Sequence, residues 1–283
     1  MFTLKIENAN GEIFELTHNT QNYAVIGVQG LTAPPTAIST SVGGLADGSF
    51  HILSRVQQRN IVITVILNGD IEANRQQLYR IFSLKKPCTI YFQNANRNVQ
   101  IVGYVEVLEG DLFVQREQMQ ISIICPRPFF EDLNALYAEL SGIMKNFEFP
   151  FSISTPIPFS EIVDLPLVTI TNVGQVETGC IMSISFTDTI TGLRIVNSTT
   201  QEFFGIDYTF RANDLLTINT VSGQLGVSVV RNGVTTDLLN MVTDGSTWFK
   251  LPVGDNNFTF TLTSGSAQNV DIVFAVANLY GGV

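Results

Sequence analysis

The sequence predicts a mainly β protein: an N-terminal β-sheet or split-barrel domain carrying one helix, followed by a C-terminal β-sandwich. Three observations lead there. Charged residues make up 14% of the 283 and hydrophobic residues 45%, and Thr, Ser, Asn, Gly, Val and Ile are prominent, a composition that suits strands and turns better than helices. Apolar and polar residues alternate with a period of two through many short segments separated by Gly, Asn and Asp. Clear helical periodicity is confined to one segment.

In TLKIENANGEIFELT two alternating segments flank Asn10-Gly11, a pair suited to a tight hairpin turn. After YAVIGVQGL comes TAPPTAISTSVGGLADGSFHI, where Pro34, Pro35, Gly43, Gly44 and Gly48 interrupt any period and predict a long loop or an extended arm. A segment of that length in a compact domain suggests an arm that packs on a neighbouring subunit. RNIVITVILNG reads as a strand, and IEANRQQLYRIFSLKKP as the helix. Asp70 caps its start, Ile71, Leu78, Ile81 and Phe82 form its apolar face, Lys85 and Lys86 suit its negative end, and Pro87 stops it. CTIYFQN, RNVQIVGYVEVLEG and QMQISIIC are further strands.

The stretch SIICPRPFFED then breaks the pattern. Pro126 and Pro128 donate no backbone hydrogen bond and end the ladder, while Phe129 and Phe130 are placed to anchor the departing chain. With Cys125 as a small buried side chain at the strand end, these residues read as a seam between domains. The first domain is therefore assigned to residues 1–132 and a linker to 133–166, with a weak helical turn from Asp132 to about Lys145 and with Pro150, Pro156, Pro158 and Pro166 beyond it. Residues 167–283 form the second domain, with short strands in PLVTITNVG, GCIMSISF, GLRIVNSTT, DLLTINTV, GVSVVRNG, NNFTFTLTSG and VDIVFAVANLY.

The chain carries a formal charge of −10, divided as −3 before residue 140 and −7 after it, without a basic cluster able to follow a phosphate backbone. Nucleic acid is not an expected partner. No apolar run has the length of a secretory signal or a membrane span, so a soluble protein made in the cytosol, without membrane insertion, is expected. Cys88, Cys125 and Cys180 are far apart and odd in number, which excludes a disulfide scaffold. No metal-ligand spacing, phosphate-cradling loop or cofactor motif occurs, and no metal or cofactor is expected. His18 and His51 are the only histidines, so Cys125 with His51 is the one dyad open to the seam cysteine. Glu131 and Asp132, as strand neighbours, point to opposite faces and cannot flank one glycosidic bond. No enzyme is expected. Trp248, with Asp255, Asn256 and Asn257 nearby in sequence, has two readings: a tryptophan closing the sandwich core, or a platform on which a sugar ring stacks with Asn256 as a polar contact.

In order along the chain, the opening hairpin, DGSFHILSRVQQRNIVITV with Asp47, Gly48 and Arg59, the helix IEANRQQLYRIFSLKKP, ISIICPRPFFED, GCIMSISF, DLLTINT, LPVGDNNFTF and the terminal NLYGGV resemble the distal tail (Dit) protein family of long-tailed bacteriophages and phage tail-like particles. The resemblance implies a non-enzymatic structural hub in the virion tail tip or baseplate. It implies N-terminal domains joined into a ring, typically a hexamer, and a C-terminal sandwich of galectin-like or carbohydrate-binding-module-like shape. The partners it implies are further copies of the chain, the tail tube protein, a tail-associated hub or lysin protein, and a receptor-binding protein. On this reading Pro34, Pro35, Gly43, Gly44, Asp47, Gly48 and Arg59 are candidate subunit contacts. The alternative is a host-surface glycan-binding module of a tail or baseplate, without a ring role.

Overall fold

The computed structural model describes residues 2–17, 21–44, 47–111, 114, 116–141, 143–145, 160–162 and 166–283, with the backbone alone at 143–145 and 160–162. Two compact units divide the chain: Met1–Asn134 together with Leu279–Val283, and Ala135–Asn278. The second unit is thus an insertion within the first. It begins before the expected boundary at 167, and the last five residues rejoin the first unit instead of ending the sandwich. His18 and the prolines at 150, 156 and 158 lie outside the described residues.

In the first unit, β1 (Thr3–Asn8), β2 (Ile13–Glu15), β3 (Tyr23–Gln29), β4 (Thr36–Ser41), β5 (Phe50–Val56) and β6 (Arg59–Leu67) precede helix α1 (Ile71–Ile81). Then come β7 (Pro87–Gln93), β8 (Asn98–Gly110), β9 (Gln118–Cys125) and β10 (Phe130–Asp132). The main sheet runs β2-β1-β7-β8-β9-β6-β3, antiparallel throughout. Gly11, at φ 80°, closes the turn between β1 and β2, and the Asn8 side-chain oxygen accepts from the backbone N–H groups of Asn10 and Glu12. Strict alternation in β6, buried at every second residue, places Ile61, Ile63, Val65 and Leu67 in the core.

Asp70 caps α1 by accepting from the Ala73 N–H at 3.1 Å, and Leu78 and Ile81 seat the helix on the core. The helix stops at Ile81, short of Lys85 and Lys86, because Phe82 turns into the core and is almost wholly buried. Arg80, rather than a lysine, occupies its last turn.

The second unit contains β11 (Leu136–Ser141), β12 (Ile143–Lys145), β13 (Ser160–Ile162), β14 (Leu167–Asn172), β15 (Cys180–Phe186) and β16 (Ile190–Asn197). They are followed by β17 (Glu202–Phe210), β18 (Leu215–Asn219), β19 (Gly226–Arg231), β20 (Val234–Asp237), β21 (Gly254–Ser264) and β22 (Val270–Val276). A sheet in the order β11-β22-β15-β18-β19-β20 and another in the order β14-β21-β16-β17 bury one shared core, the signature of a sandwich. Within that core Phe186 stacks on Phe210 at 4.4 Å between ring centroids, and Phe258 of one sheet meets Phe274 of the other at 4.8 Å. The helical turn expected from Asp132 to about Lys145 is not formed. Residues 136–141 instead extend and pair with β22 from Leu136↔Val276 to Ser141↔Asp271, which buries Leu140. The chain then re-enters the first unit as β23 (Leu279–Tyr280), which pairs with β10 through Phe130↔Tyr280 and Glu131↔Leu279.

Phe258→Ala is expected to destabilise the second unit by about 3–5 kcal/mol, the usual cost of emptying a buried aromatic site. Urea unfolding followed by the fluorescence of Trp248, the single tryptophan, measures it.

Candidate functional site

In the arm region, among the described residues, β4 and β5 pair only with each other, from Thr36↔Val56 to Ser41↔Phe50, with a bulge between Ser39 and Thr40. The expected long loop is therefore a hairpin, formed because TAISTS and FHILSRV are both strand-like once the Gly-rich turn between them is set aside. Every residue of both strands is exposed. Ile38 is 64% accessible, Phe50 63% and Leu53 59%, and Val42 and Ile52 are also bare. A two-stranded hairpin with no buried side chain is at best marginally stable. Its position must be set at its root.

The root is built around Arg59, the first residue of β6. The residue is 1% accessible, and its guanidinium aligns four backbone carbonyls: Nε donates to Pro128 O at 2.7 Å, Nη1 to Gly30 O and to Thr32 O, and Nη2 to Gly281 O at 2.5 Å. It also lies over the Phe130 ring, 4.5 Å from the centroid. Burial draws its pKa below the ordinary value. Gly30 takes φ 83°, and a Cβ there would sit 2.0 Å from Asn60 O, so only glycine lets the chain pass this close to β6. Gln57 N–H donates to Pro35 O at 2.8 Å and closes the hairpin base. Val283 N–H donates to Leu31 O at 3.1 Å.

These positions bear on two sequence expectations. Arg59, a candidate subunit contact, is enclosed in its own unit, with its charge shared among that unit's carbonyls. Asn256 is not a glycan contact, because it is 0% accessible: its amide donates to Pro252 O and Gly254 O, and its side-chain oxygen accepts from Asn197. Trp248 is partly buried against the sandwich core, its ring 4.7 Å from that of Phe204. Asp47, Gly44 and Gly48 are exposed in the arm turn, Pro35 is exposed at its base, and Gly43 packs against the Phe50 ring.

The CPRPFF stretch lies inside the first unit, and the chain enters the second at Ala135. β9 and β10 both pair with β8, so Pro126 and Pro128 mark a break between two strands that share one neighbour. The Pro128 carbonyl serves Arg59, Phe130 is fully buried, and Phe129 is half-buried. Arg127 pairs with Glu131 at 3.0 Å, and Asp132 receives the Tyr280 hydroxyl at 3.3 Å, so both acids of this stretch have structural partners. Cys125 is fully buried, whereas His51 is exposed in the arm and hydrogen-bonded to Ser54 at 2.7 Å. Burial pushes the thiol of Cys88 up to about 11, and those of Cys125 and Cys180 up to about 12. Neutral, enclosed thiols are poor nucleophiles.

Residues 173–276 match the family model described as siphovirus-type tail component, C-terminal domain. Over nearly its whole length, moreover, the chain has the fold of a Dit protein. The crystal structure of SPP1 Dit (gp 19.1), described as a paradigm of the hub adsorption apparatus in phages infecting Gram-positive bacteria, superposes with TM-score 0.70 and 14% identity, covering 99% of each chain. A chain of the phage P2 baseplate in its activated conformation with Ca superposes with TM-score 0.54 and 10% identity, covering 98% of each. The same baseplate with Sr gives TM-score 0.52 and 11% identity over 98% of each. A search of curated proteins finds no match.

Two outcomes follow. At about pH 8 the three thiols should resist alkylation in the folded protein and react when it is unfolded in urea, as read by mass spectrometry. Arg59→Met should destabilise the first unit by about 1–3 kcal/mol, since it takes the shared donor from a set of part-buried carbonyls. Hydrogen exchange in β6 and β9 measures this loss, while the Trp248 unfolding transition should stay in place.

Proposed function

We propose that the chain is a structural hub of a siphophage tail tip or baseplate, in which six copies close into a ring through the β4–β5 arm. The observation that carries this reading is the arm itself: a paired hairpin with every residue exposed, apolar side chains bare, and a root fixed by a buried charge. A monomer gains nothing from such an element. An apolar surface on a hairpin anchored only at its root fits a binding partner, and a head-to-tail contact that closes by rotation gives a ring. The siphovirus-type family match and the Dit-like fold support the same conclusion.

The polar outer surface of the first unit suits the wall of a channel. Asn60 and Glu106 are exposed there, each bonded to the buried Ser122, and Thr64, Glu109, Asp111, Gln118 and Gln120 line a shallow acidic depression. Acidic and amide groups let a polyanion slide past without adhering. The tail tube protein, a distal hub or lysin protein and a receptor-binding protein are the proposed neighbours of the ring, and the role is not enzymatic. Burial of Asn256 removes one of the polar groups near Trp248 that the glycan-binding alternative would use.

Light scattering coupled to size exclusion tests the reading: the purified protein should run at six times the 31.1 kDa chain mass, with rings in negative-stain images. Phe50→Asp with Leu53→Asp, on one face of the arm opposite Ser41 and Ser39, should give folded monomers. A wild-type protein that stays monomeric at every concentration would refute the ring.

A further inference from the structure

We infer that the segment Leu279–Val283 is a latch that fixes the root of the arm, so that the arm reaches its assembly-ready position only after the whole second unit has been synthesised. The inference rests on the arm's role in assembly proposed above. It starts from chain order: the latch belongs to the first unit but follows the second in sequence.

The latch meets that unit at β10, at Arg59 and at the segment leading into the arm. Leu279 and Tyr280 pair with β10, the Tyr280 hydroxyl reaches Asp132, and Arg97 lies over the Tyr280 ring at 3.9 Å. Gly281 supplies the carbonyl that takes Nη2 of Arg59. Gly282 runs so close to the segment leading into the arm that a Cβ would lie 3.3 Å from Leu31 O and 3.4 Å from Ala33 N. Val283 donates to Leu31 O and packs on the core of the unit.

The consequence follows from the charge. Without the latch, one guanidinium nitrogen of Arg59 loses its carbonyl inside a low-dielectric site, and the side chain regains stable surroundings only by opening toward water. Arg59 sits two residues beyond Gln57, which closes the hairpin, and it binds Gly30 and Thr32 on the entry side. Opening Arg59 therefore frees both legs of the arm together. A chain still being made has its arm hinged; the completed first unit has it set, which keeps incomplete chains out of the ring.

Two variants of the full-length protein test this, deletion of residues 279–283 and Gly282→Val. Trypsin provides the readout, because Arg55 is exposed in the arm and Arg59 is buried at its root. Both variants should be cut after Arg59 at least about tenfold faster relative to Arg55, since local opening sets the rate at a buried site. The Trp248 unfolding transition should be unchanged, and assembly should be lost. If the deletion unfolds the first unit throughout, Gly282→Val, which keeps the tail, carries the test. Unchanged cleavage at Arg59 in Gly282→Val and in any folded deletion variant would overturn the latch, even if assembly were lost. Faster cleavage at Arg59 in variants of a protein whose wild type never assembles would support the latch and reject the ring.

Discussion

A buried guanidinium shared among four carbonyls is the constraint on which the first unit depends. Removing a charge of this kind from water costs several kcal/mol, and only a full set of aligned acceptors offsets it. The acceptors on Arg59 come from Gly30 and Thr32, from Pro128 and from Gly281, so the arm's entry, the break between β9 and β10, and the returning tail must all be in place together. Cation–π contact with Phe130 links the same charge to the core. The projecting hairpin is then a lever whose fulcrum is one side chain.

The second unit is organised by a different principle. Its stability comes from rings packed between two sheets, and many of its buried polar groups are held by hydrogen bonds within the unit. Asp214 illustrates this: it is 2% accessible, and the Arg231 guanidinium that pairs with it holds its carboxyl below the usual range. Because such contacts close within the unit, a sandwich of this kind can be inserted into the first unit's chain without sharing its buried charge.

What the sequence made legible was local. The turn at Gly11, the Asp70 cap and the period-two strands were readable because each depends on residues within a few positions. The role of Arg59 was not, since its partners lie 27, 29, 69 and 222 residues away and are backbone atoms that leave no trace in residue identity. The Dit resemblance picked out Arg59 as a candidate subunit contact, and nothing in its local sequence points to the four carbonyls it binds. Asn256 could have been read correctly: it shares the parity of Phe258 and Phe260 along β21, and all three point inward. In Leu136–Ser141 helical and strand periods coexist, and pairing with β22 decides between them. The tail LYGGV offered two glycines as its only signal, and their meaning depends on how closely Leu31 and Thr32 approach.

The central claim, that the arm joins one copy to the next from a root held by Arg59, is tested most directly by mixing equal amounts of unlabelled and nitrogen-15-labelled protein carrying a photoreactive residue at Leu53. After assembly and illumination, crosslinked peptides should be of mixed isotope content, joining the arm of one copy to the first unit of another. Crosslinks found solely within single copies, from particles confirmed as rings, would contradict the account.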